Sequence, residues 1–409
     1  MRKQRFIHLL ILGLLSAIGP FSIDMYLPGF PDIAKDLHTN VSRVALTLSG
    51  FFIGIAIGQL LYGPLLDKYG RKKPMYIGMV LYVLASFSAP FVKTVEMLIA
   101  LRFLQAIGGC VGMVASRAMV RDLFDVTESA KVFSLLMLVV GVSPIIAPTV
   151  GGYLAAAFGW PSIFMVLGSI GAVILVMVII WLPESKKPDP HYSLYPKAIL
   201  GKFGAVMKNS TFLVYTFTGA FTAAGLYAYI SGSPHVFMEI FGVSERVYGW
   251  IFAIIAAGLI IATQINAQIL KRVSSNDIIP RAVSFQVLTG ILLFAGFALN
   301  WLGLYGGIVL CCLFLACQGF TFPNASALAI APFRNDAGSA SALLGFIQMA
   351  VGASVTAVMS LFHSTSAVPM AGVMALCAIT AIIILLFGGK TLKKQSLAIN
   401  NQQVGDPGI

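Results

Sequence analysis

The chain has 409 residues, of which 58% are hydrophobic and 10% charged, with a mean hydropathy of +0.90 and a formal net charge of +12. A soluble globule carries about 25% charged residues, so this composition excludes one and makes the bilayer the solvent. Each helical crossing needs about 20 apolar residues, so twelve of them leave room for short loops and no large soluble domain. Twelve apolar runs bounded by charge, Pro or Gly clusters follow in chain order: 6–28, 43–66, 74–92, 95–117, 131–157, 161–182, 212–234, 247–270, 279–299, 303–331, 338–362 and 366–389. The expected fold is an all-α membrane protein with 12 transmembrane helices. Runs such as 163–181 and 371–387 are apolar on every face, unlike the alternating strands of an outer-membrane barrel.

The first run follows Arg2, Lys3 and Arg5, as a signal peptide would, but continues without a small-residue cleavage site into Asp24-Met25-Tyr26-Leu27-Pro28. It is expected to be retained as the first membrane helix. The cysteines Cys110, Cys311, Cys312, Cys317 and Cys377 are odd in number and lie in apolar runs, which fits small packing residues and not a disulfide framework. Basic residues are scattered between spans, so no nucleic-acid partner is expected. An even number of spans with the N-terminus inside puts both termini in the cytoplasm. On that orientation only Lys35, Arg43, Lys93 and Arg246 fall outside and only Arg102 falls within a span, out of 27 Lys and Arg. The surplus charge then reads as positive-inside bias plus attraction to anionic membrane lipid.

The longest polar segment, 183–210, holds Lys186, Lys187, Lys197, Lys202 and Lys208 and divides the spans six and six. The expected domains are an N-terminal six-helix bundle (1–185), a cytoplasmic linker (186–210), a C-terminal six-helix bundle (211–390) and a polar cytoplasmic tail (391–409). Halves of equal length suit a duplicated transporter half. The 40 glycines and 19 prolines suit helices that approach closely and bend.

Among 15 acidic residues only Asp24 lies well inside a span, and Arg102 is the only base comparably placed, Arg117 being near enough to a span end to snorkel. A lone charge at that depth costs about 2.5 to 3.5 kcal/mol, so such residues face a cavity or a partner. Two readings stand: an Asp24–Arg102 ion pair that joins two helices, or a functional pair whose carboxyl releases its proton in one state and regains it in another. Tyr26, next to Asp24, and Gln105 are the candidate substrate contacts, while Phe217, Phe221, Tyr227 and Tyr229 suit packing equally well. Gln264, Asn266, Gln268, Asn324 and Gln348 suit bonds between helices better than ligand contacts.

Between the second and third runs stands Gly63-Pro-Leu-Leu-Asp67-Lys68-Tyr-Gly70-Arg71-Lys72-Lys73. Its glycines allow a short turn, and Asp67 and the cations suit bridges to neighbouring helix ends. A merely basic, topology-setting loop accounts for the lysines but not for Gly63, Asp67 and Gly70 at these spacings. The segment resembles the signature of the major facilitator superfamily, Gly-x-x-x-Asp-Arg/Lys-x-Gly-Arg-Arg/Lys. Arg102-Phe-Leu-Gln105-Ala-Ile-Gly108 resembles the family's Arg-x-x-Gln-Gly-x-Gly, with Ala106 for a glycine. In the fifth run, Ser143-Pro144-Ile-Ile-Ala147-Pro148-Thr-Val-Gly151-Gly152 resembles its antiporter signature, with Ser143 and Ala147 for glycines. Pro144, Pro148, Gly151 and Gly152 still predict a bend and close packing. The stretch 22–28, Arg121-Asp122 and Trp160-Pro-Ser-Ile-Phe164 narrow the resemblance to the Bcr/CflA branch of drug:proton antiporters. The loop 271–277 keeps almost nothing of the first-half signature.

The resemblance implies two pseudo-symmetric six-helix bundles, with Asp24 taking part in proton coupling beside Arg102. It also implies a gate of Gly63, Asp67, Gly70, Arg71, Arg121 and Asp122: Asp67 meets the N-terminus of span eleven near Gly338, and Arg71 pairs with Asp122 in a latch broken in one state. The expected protein is a monomeric transporter of a bacterial inner membrane, exporting small amphipathic drugs or metabolites in exchange for protons. It would draw on the proton motive force, with no cofactor or metal. The alternative is a major facilitator importer or uniporter of a small nutrient. A membrane enzyme is not expected, since His8, His38, His191, His235 and His363 all fall near span ends or in loops, nor is a channel, for want of a repeated ring of charges.

Overall fold

The computed structural model describes residues 2–124, 126–189, 196–333, 337–362 and 366–404. Its long helices are α1 (Arg2–Asp24), α2 (Val41–Tyr69), α3 (Lys72–Ser88), α4 (Val95–Leu123), α5 (Val126–Phe158) and α6 (Pro161–Trp181) in the first half. The second half holds α7 (Ser210–Pro234), α8 (Glu245–Ile269), α9 (Ser275–Ala298), α10 (Leu304–Ile330), α11 (Ala337–Ser360) and α12 (Val368–Val404). All 12 are long and apolar enough to cross a membrane, and no strand occurs among the described residues. In hydrocarbon each backbone amide must bond within its own segment, which a helix achieves and an isolated strand does not. Several starts are encoded by side chains that cap free amides. Asn40 accepts from the Arg43 amide before α2, Thr94 from Met97 before α4, and Asn209 from Phe212 before α7.

Some bounds differ from those expected from hydropathy. The first apolar run was expected to end at 28, but the helix proper ends at Asp24. The chain turns at Met25 and Tyr26, makes a single 3-10 turn at Leu27–Gly29 and resumes as a helix over Phe30–Asp36. Pro28 and Pro31 lack the amides a continuous helix would need there. The linker contains a helix, Pro196–Met207, whose Val206 is buried near Phe212, Leu343 and Leu344. The last helix runs on to Val404, because 390–404 contains neither proline nor glycine to stop it; 405–409 of the expected tail lie outside the described residues.

The halves meet closely at one end of the molecule. There one continuous apolar cluster joins Tyr26, Leu27, Phe30 and Val44 of the first half to Tyr229, Phe237, Tyr248, Met359 and Met370 of the second. Ser42 Oγ donates to the Phe362 carbonyl at 2.9 Å, and the hydroxyls of Ser49 and Thr356 are 2.7 Å apart. At the other end, which carries the 63–73 segment, the apolar clusters separate by half. One holds Leu15, Tyr62, Met75 and Val178, and the other holds Phe212, Ala329 and Leu343. A Cβ built on Gly63 or Gly338 would meet no described atom within 4 Å. The molecule is therefore sealed where α1 breaks, and α2 and α11 stay in contact as far as Gln59 and Gly345, one turn before Gly63.

Candidate functional site

Arg102 is the organising side chain of the first half. It is fully buried on α4, and its Nη2 donates to the Ser22 carbonyl at 2.8 Å while Nη1 donates to Gln105 Oε1 at 2.6 Å. Its guanidinium lies 4.2 Å from the Phe51 ring centroid and 4.6 Å from that of Tyr26. Ser22 lies in the last turn of α1, where carbonyls have no helical donor and carry the negative end of the helix dipole. Arg102 thus supplies what that helix end lacks, and the dipole and the ring faces offset the buried charge. A shell from α3 completes the pocket. Tyr82 Oη and Ser22 Oγ are 2.8 Å apart, and Gln105 Nε2 donates to Ser86 Oγ at 2.8 Å. Tyr82 fits because Gly108 and Gly171 press on it; a Cβ at Gly108 would come within 2.5 Å of the Tyr82 amide.

Asp24 points elsewhere. The described residues offer its carboxylate neither an ion pair nor a hydrogen bond, although only 5% of the residue is exposed. The Asp24–Arg102 ion pair weighed from the sequence is therefore not formed in this arrangement. The guanidinium instead takes the Ser22 carbonyl and the ring of Tyr26. Within electrostatic reach of Asp24 are three tyrosines of the second half, Tyr227, Tyr229 and Tyr248.

Tyr26 and Gln105, expected at the substrate, are shut inside the first half. Tyr26 Oη is 2.9 Å from Thr47 Oγ1, its ring packs on Phe30 and Phe164, and Gln105 uses both amide atoms in the Arg102 network. Neither lines an opening here, because the aromatic and polar partners that bury Arg102 also occupy them.

The proline-bearing helix α5 touches both the break and the other half. A Cβ on Gly151 would collide with the Met25 carbonyl, and one on Gly152 would come within 2.5 Å of the Glu245 carbonyl. Across the seam, a Cβ on Gly249 would lie 2.8 Å from the Pro148 carbonyl. Pro144 and Pro148 stand within the helix itself. The backbone of the α1 break, one residue after Asp24, therefore rests directly on α5 at a point where α5 also contacts α8.

At the end that carries the 63–73 segment, Arg71 is buried and donates through Nε to Asp122 Oδ2 at 2.8 Å and through Nη1 to Asp67 Oδ1 at 3.1 Å. Burial by itself lowers the affinity of its guanidinium for the proton, but the hydrogen bond and charge of Asp122, helped by Asp67, hold its pKa above the usual arginine range. Gly70 makes the turn at φ +81°, which a side chain would resist. Gly63, expected to help that turn, lies inside α2 with open space around it, so the turn needs only Gly70. Asp67 does not reach the N-terminus of α11 in this structure. Arg71 and Lys186 occupy its carboxylate instead, the latter at 2.7 Å, and a Cβ on Gly338 would meet open space. Arg121 is exposed and is a partner of neither carboxylate.

Sequence reading missed the start of the linker. Glu184 accepts from the amides of Arg71 and Lys72 at 2.8 and 3.0 Å, where α3 begins, and Ser185 Oγ donates to Asp122 Oδ2 at 2.8 Å. The signal available was Glu184 itself, one of few acids in a segment rich in lysine. Of the second-half amides, Asn324 Nδ2 donates to Asn266 Oδ1 between helices at 2.8 Å, whereas Gln268 Oε1 accepts locally from Lys271.

Two helical halves around a seam, with irregular backbone and a buried acid at the break, define a polytopic membrane transporter. The sequence pattern of the Major Facilitator Superfamily matches residues 12–357, and the chain belongs to that family. It is 32% identical over 386 residues to the bicyclomycin resistance protein homolog of Haemophilus influenzae, covering 94% of this chain and 97% of that one. It is 28% identical over 362 residues to multidrug resistance protein D of Escherichia coli, covering 88% and 90%. The fold is similar to the crystal structure of a D-xylose-proton symporter, with a TM-score of 0.76 at 13% identity over 94% of this chain and 97% of that one.

Proposed function

We propose that this protein is a secondary transporter that exports small amphipathic drugs or metabolites across a bacterial inner membrane in exchange for protons. The two relatives named for bicyclomycin and multidrug resistance support the substrate class. The observation that carries the coupling is Asp24: an acid without a partner, buried at the broken end of α1, on the seam between the halves. An enclosed carboxylate without donors costs several kcal/mol, which protonation or a new hydrogen bond relieves. Rocking of one half against the other changes that surrounding, so proton binding and conformation are linked.

The two six-helix bundles are residues 1–185 and 211–390, joined by the linker 186–210, with both termini in the cytoplasm as the positive-inside bias requires. On that orientation the sealed end is external and the 63–73 segment is cytoplasmic. Arg71, Asp67 and Asp122 act as a latch on the cytoplasmic side, and the contact of Asp67 with the start of α11 belongs to the opposite state. Tyr26 and Gln105 serve this scheme by holding Arg102; they reach a substrate only if that network opens. The protein works as a monomer without a cofactor. A potential of 100 mV contributes about 2.3 kcal/mol per charge moved inward, and each tenfold proton gradient adds about 1.4 kcal/mol.

The test is proton release on drug addition in proteoliposomes, with a panel of bicyclomycin, chloramphenicol and cationic dyes. Asp24→Asn abolishes that release while the purified protein stays monodisperse. Unchanged coupling in Asp24→Asn overturns the assignment.

A further inference from the structure

Two polar groups flank the seam where the α1 break meets α7, in the cluster that joins Tyr26 and Leu27 to Tyr229. Asp24, at the end of α1, has no hydrogen-bond partner among the described residues. On α7, Tyr229 is 1% exposed, and its hydroxyl is buried with no hydrogen bond. Tyr229 lies near Ser233, but that hydroxyl is engaged with Tyr248 Oη at 2.9 Å. The third tyrosine, Tyr227, directs its hydroxyl to Met349 Sδ at 3.9 Å and stacks on Phe52. Of the three tyrosines, Tyr229 is the one whose hydroxyl makes no hydrogen bond among the described residues. Native proteins leave few such groups, because each lost bond costs about 1–3 kcal/mol.

The groups belong to opposite halves. The Leu27–Gly29 turn that follows Asp24 packs against both α7 and α8, so movement of one half against the other changes how Asp24 sits relative to Tyr229. We infer that Tyr229 is the positioning residue through which the second half reads the protonation state of Asp24. In one arrangement its hydroxyl donates to the ionised carboxylate and ties the α1 break to α7. In the arrangement seen here the bond is open, and Asp24 faces the second half without a donor. Other groups around the acid do not compete for this role. Arg102 on α4 is committed to Ser22 and Gln105, and the α5 side chains packed with Met25 at the break, Ala147, Leu154 and Ala155, carry no donor.

This inference rests on Asp24 as the coupling acid, and one experiment separates the two. A cysteine pair placed by Ser42→Cys and Phe362→Cys, where the halves touch at the sealed end, reports closure by its oxidative cross-linking rate in membranes across pH 5 to 9. Ser42→Cys alone corrects for the native cysteines. With Asp24 and Tyr229 intact the rate titrates with pH, and Asp24→Asn makes it flat. Tyr229→Phe, which keeps the ring packing on Phe252, raises the midpoint by about one pH unit, a tenfold change in proton affinity. Tyr248→Phe leaves the midpoint in place. A merely structural tyrosine would change the rate at every pH without moving the midpoint. A Tyr229→Phe midpoint equal to that of the parent pair, with Asp24→Asn flat, overturns the role of Tyr229 and leaves that of Asp24. Titration that persists in Asp24→Asn, or is absent from the parent pair, overturns both.

Discussion

Arg71 and Asp122, 51 residues apart, are joined by a 2.8 Å bond from Nε to Oδ2, with a second contact of 3.4 Å from Nη2 to Oδ1. The same guanidinium reaches Asp67, so one buried cation holds the end of α2 to the end of α4. A planar fork does this and a lysine does not. Both carboxylates remain partly exposed, at 35% and 20%, and screening by water weakens the pair accordingly.

Arg71→Lys should therefore lower thermal stability by about 1–2 kcal/mol, read as a fall in Tm in detergent. Because Asp122 and Asp67 hold the folded-state pKa of Arg71 above the ordinary arginine range, its contribution is complete below that range and is lost only as pH rises through the folded-state value. The wild-type minus Arg71→Lys difference should accordingly show no alkaline decline up to pH 9. A decline below pH 9 would contradict the assignment of the charge.

Gly151→Ala should abolish transport while Gly63→Ala leaves it intact. The first places a Cβ against the Met25 carbonyl, which is backbone and cannot swing away; the second meets nothing. Gly63→Ala should also gain up to about 1 kcal/mol, since alanine loses less freedom in a helix. Export of a fluorescent dye from cells and Tm of the purified proteins distinguish the two variants.

Arg102→Met should separate stability from function. The cation is held by rings, a carbonyl and an amide, and its Nε has no partner. Replacing a buried, incompletely paired charge with an apolar chain of similar length is often neutral or stabilising. Tm should hold or rise, and drug-dependent proton release should fall more than tenfold. A large loss of stability would mean that the guanidinium holds the α1 terminus for folding and not for transport.

Glu184→Ala should cost about 1 kcal/mol, the usual value of a carboxylate that caps a helix start and complements its dipole. Glu184→Gln should recover part of that, since the amide oxygen still accepts from the Arg71 and Lys72 amides. Equal Tm for wild type and Glu184→Ala would remove the linker from the account of the latch.

Much of this architecture was legible in the chain itself. Hydropathy is local, and twelve apolar runs of sufficient length dictate twelve helices whatever their neighbours are. Scarcity of charge likewise singled out Asp24 and Arg102 before any contact was known. Which atoms those residues touch is a different kind of fact. Arg102 meets the Ser22 carbonyl 80 residues away, and Lys186 meets Asp67 119 residues away. Such pairings depend on how helix ends and breaks fall in three dimensions. That Arg102 meets the Ser22 carbonyl and not Asp24 follows from the helix ending at Asp24 ahead of Pro28, which leaves the last carbonyls free for the guanidinium. The sequence by itself determined the bilayer, the helices and the two exceptional charges, because these follow from composition and local bonding. The tertiary structure decided their partners, because burial satisfies a charge with whatever donor, dipole or ring the packing brings within reach.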